Sequence, residues 1–341
     1  MQKPVRVGVV GFGYWGPNIV RNLDRLGDAE LVTACDLSEK NLAKLKGLYP
    51  GVETTQSLDE LLSDRFALDA VVVSTSAPSH FALAMKVLEA GKHCYIEKPM
   101  TLTSADSEAL VRLADERDLV LMVGHLMEYH SAINWIKDYL ASGELGEVRY
   151  VYMQRLNLGK VRTEENAFWS LAPHDVSIAL YILGETPDSV SANGAAYITP
   201  GVQDVVFANL HFPSGKMVNI HVSWLDPHKT RMLTVVGSKK MLVFDDMQAT
   251  EKIWIYDRGA EPAEALPYGA DIQLRFGDIT VPFVKMAEPL SIEVQHFLDC
   301  CDSGATPRSD GRDGLRVVRV LEAVDESVAA LGAPVAISIG I

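Results

Sequence analysis

The stretch Val5 to Gly16 restricts this chain more than any other. An apolar run, Val5-Arg6-Val7-Gly8-Val9-Val10, leads into Gly11-Phe12-Gly13-Tyr14-Trp15-Gly16, which is G-x-G-x-x-G. Apolar residues at helical spacing follow (Ile19, Leu23, Leu26), and a second apolar run, Leu31-Val32-Thr33-Ala34-Cys35, ends in Asp36. Strand, glycine turn, helix, strand and an acidic residue about twenty positions on form the dinucleotide fingerprint in its required context. Each glycine has a mechanical task. Gly11 permits the tight turn, Gly13 lets backbone approach a pyrophosphate, and Gly16 lets the helix pack closely on the strand. The helix N-terminus presents free N–H groups to phosphate, and Pro17 fits the first turn, where a missing N–H costs nothing. Asp36 accepts hydrogen bonds from ribose hydroxyls and repels a 2'-phosphate, which points to NAD rather than NADP. Phe12, Tyr14 and Trp15, inside the glycine loop, are counted with the cofactor-binding residues.

From residue 5 to about 123 the pattern alternates strand and helix, with strands expected at 5–10, 31–35, 69–75, 92–96 and 119–123. Ser38, Ser57 and Ser104 stand as helix caps. Continuous apolar strands separated by helices predict a doubly wound parallel sheet of the Rossmann kind over residues 1–123. In such a sheet the ligand lies at the carboxyl ends of the strands. Two segments fall there: Ser74-Thr75-Ser76-Ala77-Pro78-Ser79-His80 and Glu97-Lys98-Pro99.

Past Gly124 the character changes. Ser131–Leu140 reads as an amphipathic helix. From Val148 the chain is β-like, with candidates at 148–155, 189–198, 204–211, 217–224, 230–236, 240–244 and 252–256, and turns at Pro213-Ser214-Gly215-Lys216 and Gly237-Ser238-Lys239. Adjacent hairpins predict one large, mostly antiparallel sheet in an α+β domain over 124–341. One face of it packs on helices and the other is open to a subunit interface. Helices are expected at 297–301 and 314–331, and a short strand or loose end at 334–341.

The 341 residues suffice for two cores. Net charge is −14, from 31 Lys and Arg against 45 Asp and Glu; this argues against a nucleic-acid partner and an anionic membrane. The four cysteines, Cys35, Cys94, Cys300 and Cys301, lack metal-ligand spacing, so no metal is expected and reduced thiols in a cytoplasm fit best. No apolar run has the length of a membrane span, and the first residues do not read as a signal peptide.

The motifs Gly11–Gly16, Asp36, Thr75 with His80, Glu97-Lys98-Pro99, Gly124-His125 and His174 resemble those of the glucose-fructose oxidoreductase / inositol dehydrogenase family, two-domain sugar dehydrogenases. The resemblance extends to Glu288-Pro289-Leu290 and to 297–327. It implies NAD as cofactor, Thr75, His80 and Glu97 beside it, and Lys98 next to the nicotinamide and the substrate hydroxyl, with a Lys-Pro peptide that is often cis in the family. It also implies dimers or tetramers built on the second sheet, and part of 288–332 returning to the first domain.

A buried helix is expected from Pro173, with His174 in its first turn; the resemblance makes that residue substrate-facing. Many relatives carry aspartates four residues before and three residues after this histidine. Here Ser170 and Ser177 stand there, and Asp175 directly follows His174. The catalytic set is therefore Lys98 and His174 rather than a Lys–Asp–His trio. His174 is read as principal base and Lys98 as polariser or proton shuttle, with the reverse assignment open. Arg155, Asn157, Lys160, Arg162, Trp169 and Asp175 are candidate substrate contacts, since arginine forks suit diphosphate and carboxylate. Trp224 is a candidate for stacking or for packing at the sheet edge.

Tyr14-Trp15-Gly16-Pro17-Asn18 and the 169–174 block most resemble family members acting on nucleotide sugars. That implies NAD-dependent oxidation at C3 of a UDP-N-acetylhexosamine such as UDP-N-acetylglucosamine or its uronate, for 3-amino-sugar and lipopolysaccharide synthesis. Alternatives are a polyol or free-sugar dehydrogenase, glycoside cleavage with recycled NAD, or a non-catalytic NAD-binding regulator.

Overall fold

The computed structural model describes residues 3–159, 161–262 and 272–338. Lys160, a candidate substrate contact, and the end of the 334–341 segment lie outside them. The chain divides into two compact units, residues 1–129 with 288–318, and residues 130–287 with 319–341.

The first unit opens with β1 (Val5–Val10), α1 (Gly16–Arg25), β2 (Ala29–Cys35), α2 (Glu39–Leu48), β3 (Glu53–Thr55), α3 (Leu58–Leu61), β4 (Ala70–Val73), α4 (His80–Glu89), β5 (His93–Ile96), α5 (Ser104–Glu116) and β6 (Leu121–Val123). All pairings are parallel, in the order β3-β2-β1-β4-β5-β6. This is the doubly wound sheet that the alternation of apolar strands and capped helices predicts. Val7, Val9, Val72 and Ile96 are essentially inaccessible, as continuous apolar strands require. Ser38 and Ser57 cap α2 and α3 as expected. At α5 the cap is Thr103, whose hydroxyl accepts from Asp106 N–H, and Ser104 is the first helical residue. β3 escapes the hydropathy pattern because its Glu53-Thr54-Thr55 is short and polar.

The second unit holds α6 (Ser131–Ala141), β7 (Val148–Leu156), α7 (Ala167–Leu171), α8 (Pro173–Leu183), β8 (Ser189–Ala195), β9 (Val205–His211), β10 (Met217–Ser223), β11 (Thr230–Gly237), β12 (Met241–Asp245), β13 (Ile253–Tyr256), the hairpin β14 (Gly259–Pro262) with β15 (Ile272–Arg275), and β16 (Ile279–Thr280). After them come α9 (Pro289–Ser303), α10 (Gly311–Ala329), within which the division between units falls, and β17 (Val335–Ala336). Nine strands form one sheet in the order β16-β13-β12-β11-β7-β10-β9-β8-β17. Every neighbour pair is antiparallel except β7 with β10, which is parallel. One face buries Val151, Met153, Val190, Ala208, Val218, Ile220 and Leu233. The other carries Tyr150, Tyr152, Phe207 and Met217, each more than a third exposed. Tyr150 stacks with Tyr152, and Phe207 with His221.

Two segments complete the first unit. α9 packs on α1 and β1, sending Leu290, Val294 and Phe297 into the core beneath Tyr95, whose ring meets Phe297 edge-on at 5.7 Å. Residues 309–310 extend β6: Val123 N–H donates to Ser309 O at 2.8 Å, and the Ser309 hydroxyl donates to Val123 O at 2.7 Å.

The glycine turn is the tightest point of this unit. Gly11 takes φ +98°, and a Cβ at Gly16 would overlap the carbonyl oxygen of Gly11. Gly16→Ala should therefore lift α1 off the turn, lower stability by about 1–3 kcal/mol and abolish dinucleotide binding. Thermal unfolding and NADH fluorescence titration read the two effects.

Candidate active site

In the first unit the carboxyl ends of β1, β2, β4 and β5 are tied together by hydrogen bonds. Gly11 N–H donates to Cys35 O at 2.8 Å, Ser74 N–H to Val10 O at 2.8 Å, and the Ser74 hydroxyl to Gly11 O at 2.8 Å. Asp36 Oδ2 accepts from Phe12 N–H at 2.7 Å, and Oδ1 from Ser38 N–H at 2.7 Å. Asn41 Nδ2 also donates to Oδ2 at 3.1 Å, so the carboxylate is fixed at the mouth of the glycine loop with a lone pair on Oδ1 left for a ribose hydroxyl. Space above Gly13 is open, and Tyr14 is 96% exposed. The first turn of α1 carries Pro17 and no side-chain cap, so its N–H groups point at whatever occupies that space. An open cradle with uncapped donors and an acidic residue at the second strand fits the diphosphate and ribose of NAD.

Lys98 follows β5 by two residues and is half-buried; its peptide to Pro99 is cis. The loop is braced by His80, whose Nδ1 lies 2.8 Å from Pro99 O and Nε2 3.2 Å from Thr75 O. Both partners are carbonyl acceptors, so the neutral ring donates to one of them at a time while standing between the β4 and β5 loops. Burial pushes its pKa down, against the pull of those carbonyls. The Thr75 hydroxyl pairs with Ser79 at 2.7 Å.

Glu97 is lifted to about 7 by burial, against the opposing pull of the Lys98 ammonium and of hydrogen bonds from Lys98 N–H, the Trp15 side chain and Tyr95. The Trp15 indole thus joins the glycine loop to the Glu97-Lys98-Pro99 loop. Behind them, Glu293 of α9 is fully buried beside Tyr95. Burial and the neighbouring Glu97 push its carboxyl well above the usual range.

In the second unit Arg155, at the end of β7, faces Asp175 on α8. Nε donates to Oδ2 at 2.6 Å and Nη2 to Oδ1 at 3.0 Å, both side chains being buried. The Arg155 fork is thus occupied by Asp175, and the pair pins the first turn of α8, which carries half-buried His174. A further charge cluster lies nearby in the same unit. Asp246 Oδ1 is 3.5 Å from His130 Nε2 and 3.3 Å from Lys252 Nζ. Against the upward push of burial, these partners hold Asp246 at about 2.

Trp169 turns its indole N–H to Asp325 at 2.6 Å and is nearly inaccessible, and Asn166 donates to the same carboxylate at 2.8 Å. Arg162, more than half exposed, pairs with Glu165 at 2.6 Å. Asn157 N–H donates to Ser223 O at 3.0 Å, and Trp224 is buried at the sheet. Glu293, Asp313, Asp325 and Asp246 carry no motif. Tyr95, His125, Trp169 and His130, which they respectively meet, lie far back along the chain, so no spacing in the sequence signals those contacts. The described residues contain no group of three or more His, Cys, Asp or Glu able to hold a metal, and no helix long and apolar enough to cross a membrane.

Residues 5–125 match the model of an oxidoreductase family with an NAD-binding Rossmann fold (GFO/IDH/MocA), and residues 133–243 match the GFO/IDH/MocA C-terminal domain. The chain is 29% identical over 315 residues to UDP-N-acetylglucosamine 3-dehydrogenase of Acidithiobacillus ferrooxidans, covering 92% of this chain and 94% of that one. A solved structure of that enzyme aligns at TM-score 0.79 with 28% identity, over 96% and 99% of the two chains. Myo-inositol 2-dehydrogenase of Thermotoga maritima is 25% identical over 321 residues, 91% of this chain and 92% of that one. The WlbA dehydrogenase of Bordetella pertussis, solved with NADH and UDP-GlcNAcA, shares the fold at TM-score 0.82 and 22% identity, over 99% and 100% of the chains.

Truncating one partner of a buried bidentate pair strands the other's charge. Arg155→Met should cost about 3–5 kcal/mol, and Arg155→Met with Asp175→Leu should recover most of it. Denaturant unfolding of the two variants reads the difference.

Proposed function

The chain belongs to the GFO/IDH/MocA oxidoreductase family, and from that premise we propose that this NAD-dependent dehydrogenase oxidises the C3 hydroxyl of a UDP-N-acetylhexosamine, UDP-N-acetylglucosamine or its uronate, to the 3-keto sugar. One observation carries the reaction: Lys98 stands at the carboxyl edge of β5, in a loop joined to the glycine turn through Glu97 and Trp15. Likeness to the Acidithiobacillus enzyme across nearly all of both chains supports the substrate.

Bound NAD supplies the hydride acceptor. Gly13 and the first turn of α1 receive its diphosphate, and Asp36 its ribose hydroxyls. Thr75, His80 and Glu97 shape the pocket wall. Lys98 takes the proton of the substrate hydroxyl. Glu97 fixes the place of Lys98 relative to the cofactor loop. His174 is the second catalytic group of this reading, held by the Arg155–Asp175 pair beneath its helix turn. Asn157 and Arg162 line the substrate side, and Trp169 packs behind them on Asp325. A 3-keto nucleotide sugar of this kind suits transamination to a 3-amino sugar for lipopolysaccharide, in a cytoplasmic route.

With UDP-N-acetylglucosamine or its uronate and NAD, the protein should produce NADH absorbance, and far less with NADP. Lys98→Met should lower turnover by about 100-fold or more while sparing NADH affinity. A strong signal from inositol and none from UDP-sugars would replace this reading with that of a polyol dehydrogenase.

The open sheet face with Tyr150, Tyr152, Phe207 and Met217 is proposed as the surface on which the chain forms homodimers or homotetramers. An apolar aromatic patch of this kind is poorly solvated in a lone chain. Light scattering should show a dimer or tetramer that Tyr152→Lys with Phe207→Asp reduces to monomer; a monomeric parent protein would refute it.

A further inference from the structure

Behind Lys98 lies a second polar group that this chemistry has not used. β5 and β6 run parallel with Ile96 opposite Val123, and Gly124 N–H donates to Ile96 O at 2.8 Å. Lys98 and His125 each follow those paired residues by two positions, so they leave neighbouring strands at the same level. His125 is 1% exposed, and neither ring nitrogen makes a hydrogen bond among the described residues. Its Nε2 stands 3.9 Å from Oδ2 of Asp313, another buried atom with no hydrogen-bond partner there. This is too long for a direct hydrogen bond, as proton-transfer contacts often are before substrate binds.

Asp313 lies in the first turn of α10, which Gly314 seats against β6: a Cβ at 314 would come within 2.6 Å of Val123 and 3.1 Å of Met100. Oδ1 of Asp313 accepts from Arg316 Nη2 at 2.6 Å. Arg316 Nε is buried and without a hydrogen-bond partner, while its side chain as a whole is 40% exposed. The cluster therefore runs from the Lys98 loop to solvent. Each buried, unmatched polar atom costs about 1–3 kcal/mol, and apolar residues of the same volume would pack here at lower cost. Such a concentration at one place is characteristic of a group that moves charge. The charged and titratable groups facing His125 are Asp313, which favours the imidazolium, and Lys98 and Arg316, which oppose it; burial opposes it most. Tyr95 and Glu97 close the β5 side, against Gly124.

We propose that His125 and Asp313 form a relay that carries the substrate's hydroxyl proton away from Lys98. The inference rests on Lys98 as the proton acceptor. Alcohol oxidation leaves a proton on Lys98 Nζ, which must go before the next turnover. The neutral imidazole accepts it at one nitrogen and gives up the proton on the other to Asp313. From there it leaves along the exposed flank of Arg316. Only N–H and O–H bonds form and break, and the net product is one proton in solvent.

Two measurements test the relay. In histidine-labelled protein without substrate, NMR titration should show His125 ionising below an ordinary histidine. Lys98→Met should move that ionisation up and Asp313→Asn should move it down; a His125 resonance indifferent to both overturns the relay. In turnover, His125→Gln and Asp313→Asn should each lower kcat near neutral pH by about tenfold or more, leaving KM and NADH affinity unchanged. The deficit should shrink in alkaline buffer, and added imidazole should restore part of the rate of His125→Gln. Unchanged kcat in both variants, or a loss matched by weaker NADH binding and insensitive to imidazole and pH, overturns it. Should His125→Gln fail to fold, the near-isosteric Asp313→Asn carries the test. Turnover retained by Lys98→Met removes the premise, whereas an inactive Lys98→Met beside a fully active His125→Gln removes the relay alone.

Discussion

The contact between Gly11 and Gly16 is the constraint on which the first unit depends. Strand β1 must end, reverse its hydrogen-bonding and start α1 within six residues, with the first turn of the helix against the carbonyl of Gly11. That carbonyl is already in use, accepting the Ser74 hydroxyl from the end of β4, while the N–H of Gly11 reaches Cys35 at the end of β2. Three strand ends are thus locked to one turn. Asp36, Thr75 and the glycine loop cannot move independently, and the cradle for a dinucleotide is rigid before any ligand arrives. Preorganisation of this kind spares the ordering cost at binding.

The molecule places its ionisable groups in two contrasting ways. In the second unit, charges are matched: Arg155 with Asp175, and Asp246 with His130, Lys252 and, at 3.5 Å, Arg231. Matched buried pairs fix geometry, and Arg155 with Asp175 fixes the turn that carries His174. In the first unit, around Lys98, burial rather than pairing sets the ionisable groups. Burial lifts Glu97 to about 7, pushes Glu293 well above the carboxylate range and pushes His125 down. Groups whose protonation is poised by burial and neighbours suit proton transfer. The contrast separates positioning, which wants fixed charge, from chemistry, which wants adjustable charge.

Much of this was legible in the residues. The alternation of apolar runs with Ser-capped helices predicts the parallel sheet, because strands buried on both faces need unbroken hydrophobicity. The glycine spacing and Asp36 locate the cofactor, because close approach of backbone to phosphate admits no side chain. The strands of the second sheet appear at nearly their observed limits through β-branched runs and hairpin turns. The short polar β3, the two-residue β16 and the parallel alignment of β7 with β10 do not appear, since pairing between distant segments leaves no local period.

The sequence by itself determined the fold class, the NAD cradle and the strand end on which Lys98 stands, because each follows from local periodicity and from glycines with a single steric use. Only the tertiary structure decided what the remaining polar residues face. It turned Arg155 inward to Asp175, gave the Trp169 indole to Asp325 and set His125 before Asp313. Side-chain partners of that kind are chosen by packing across the chain, where no spacing rule operates.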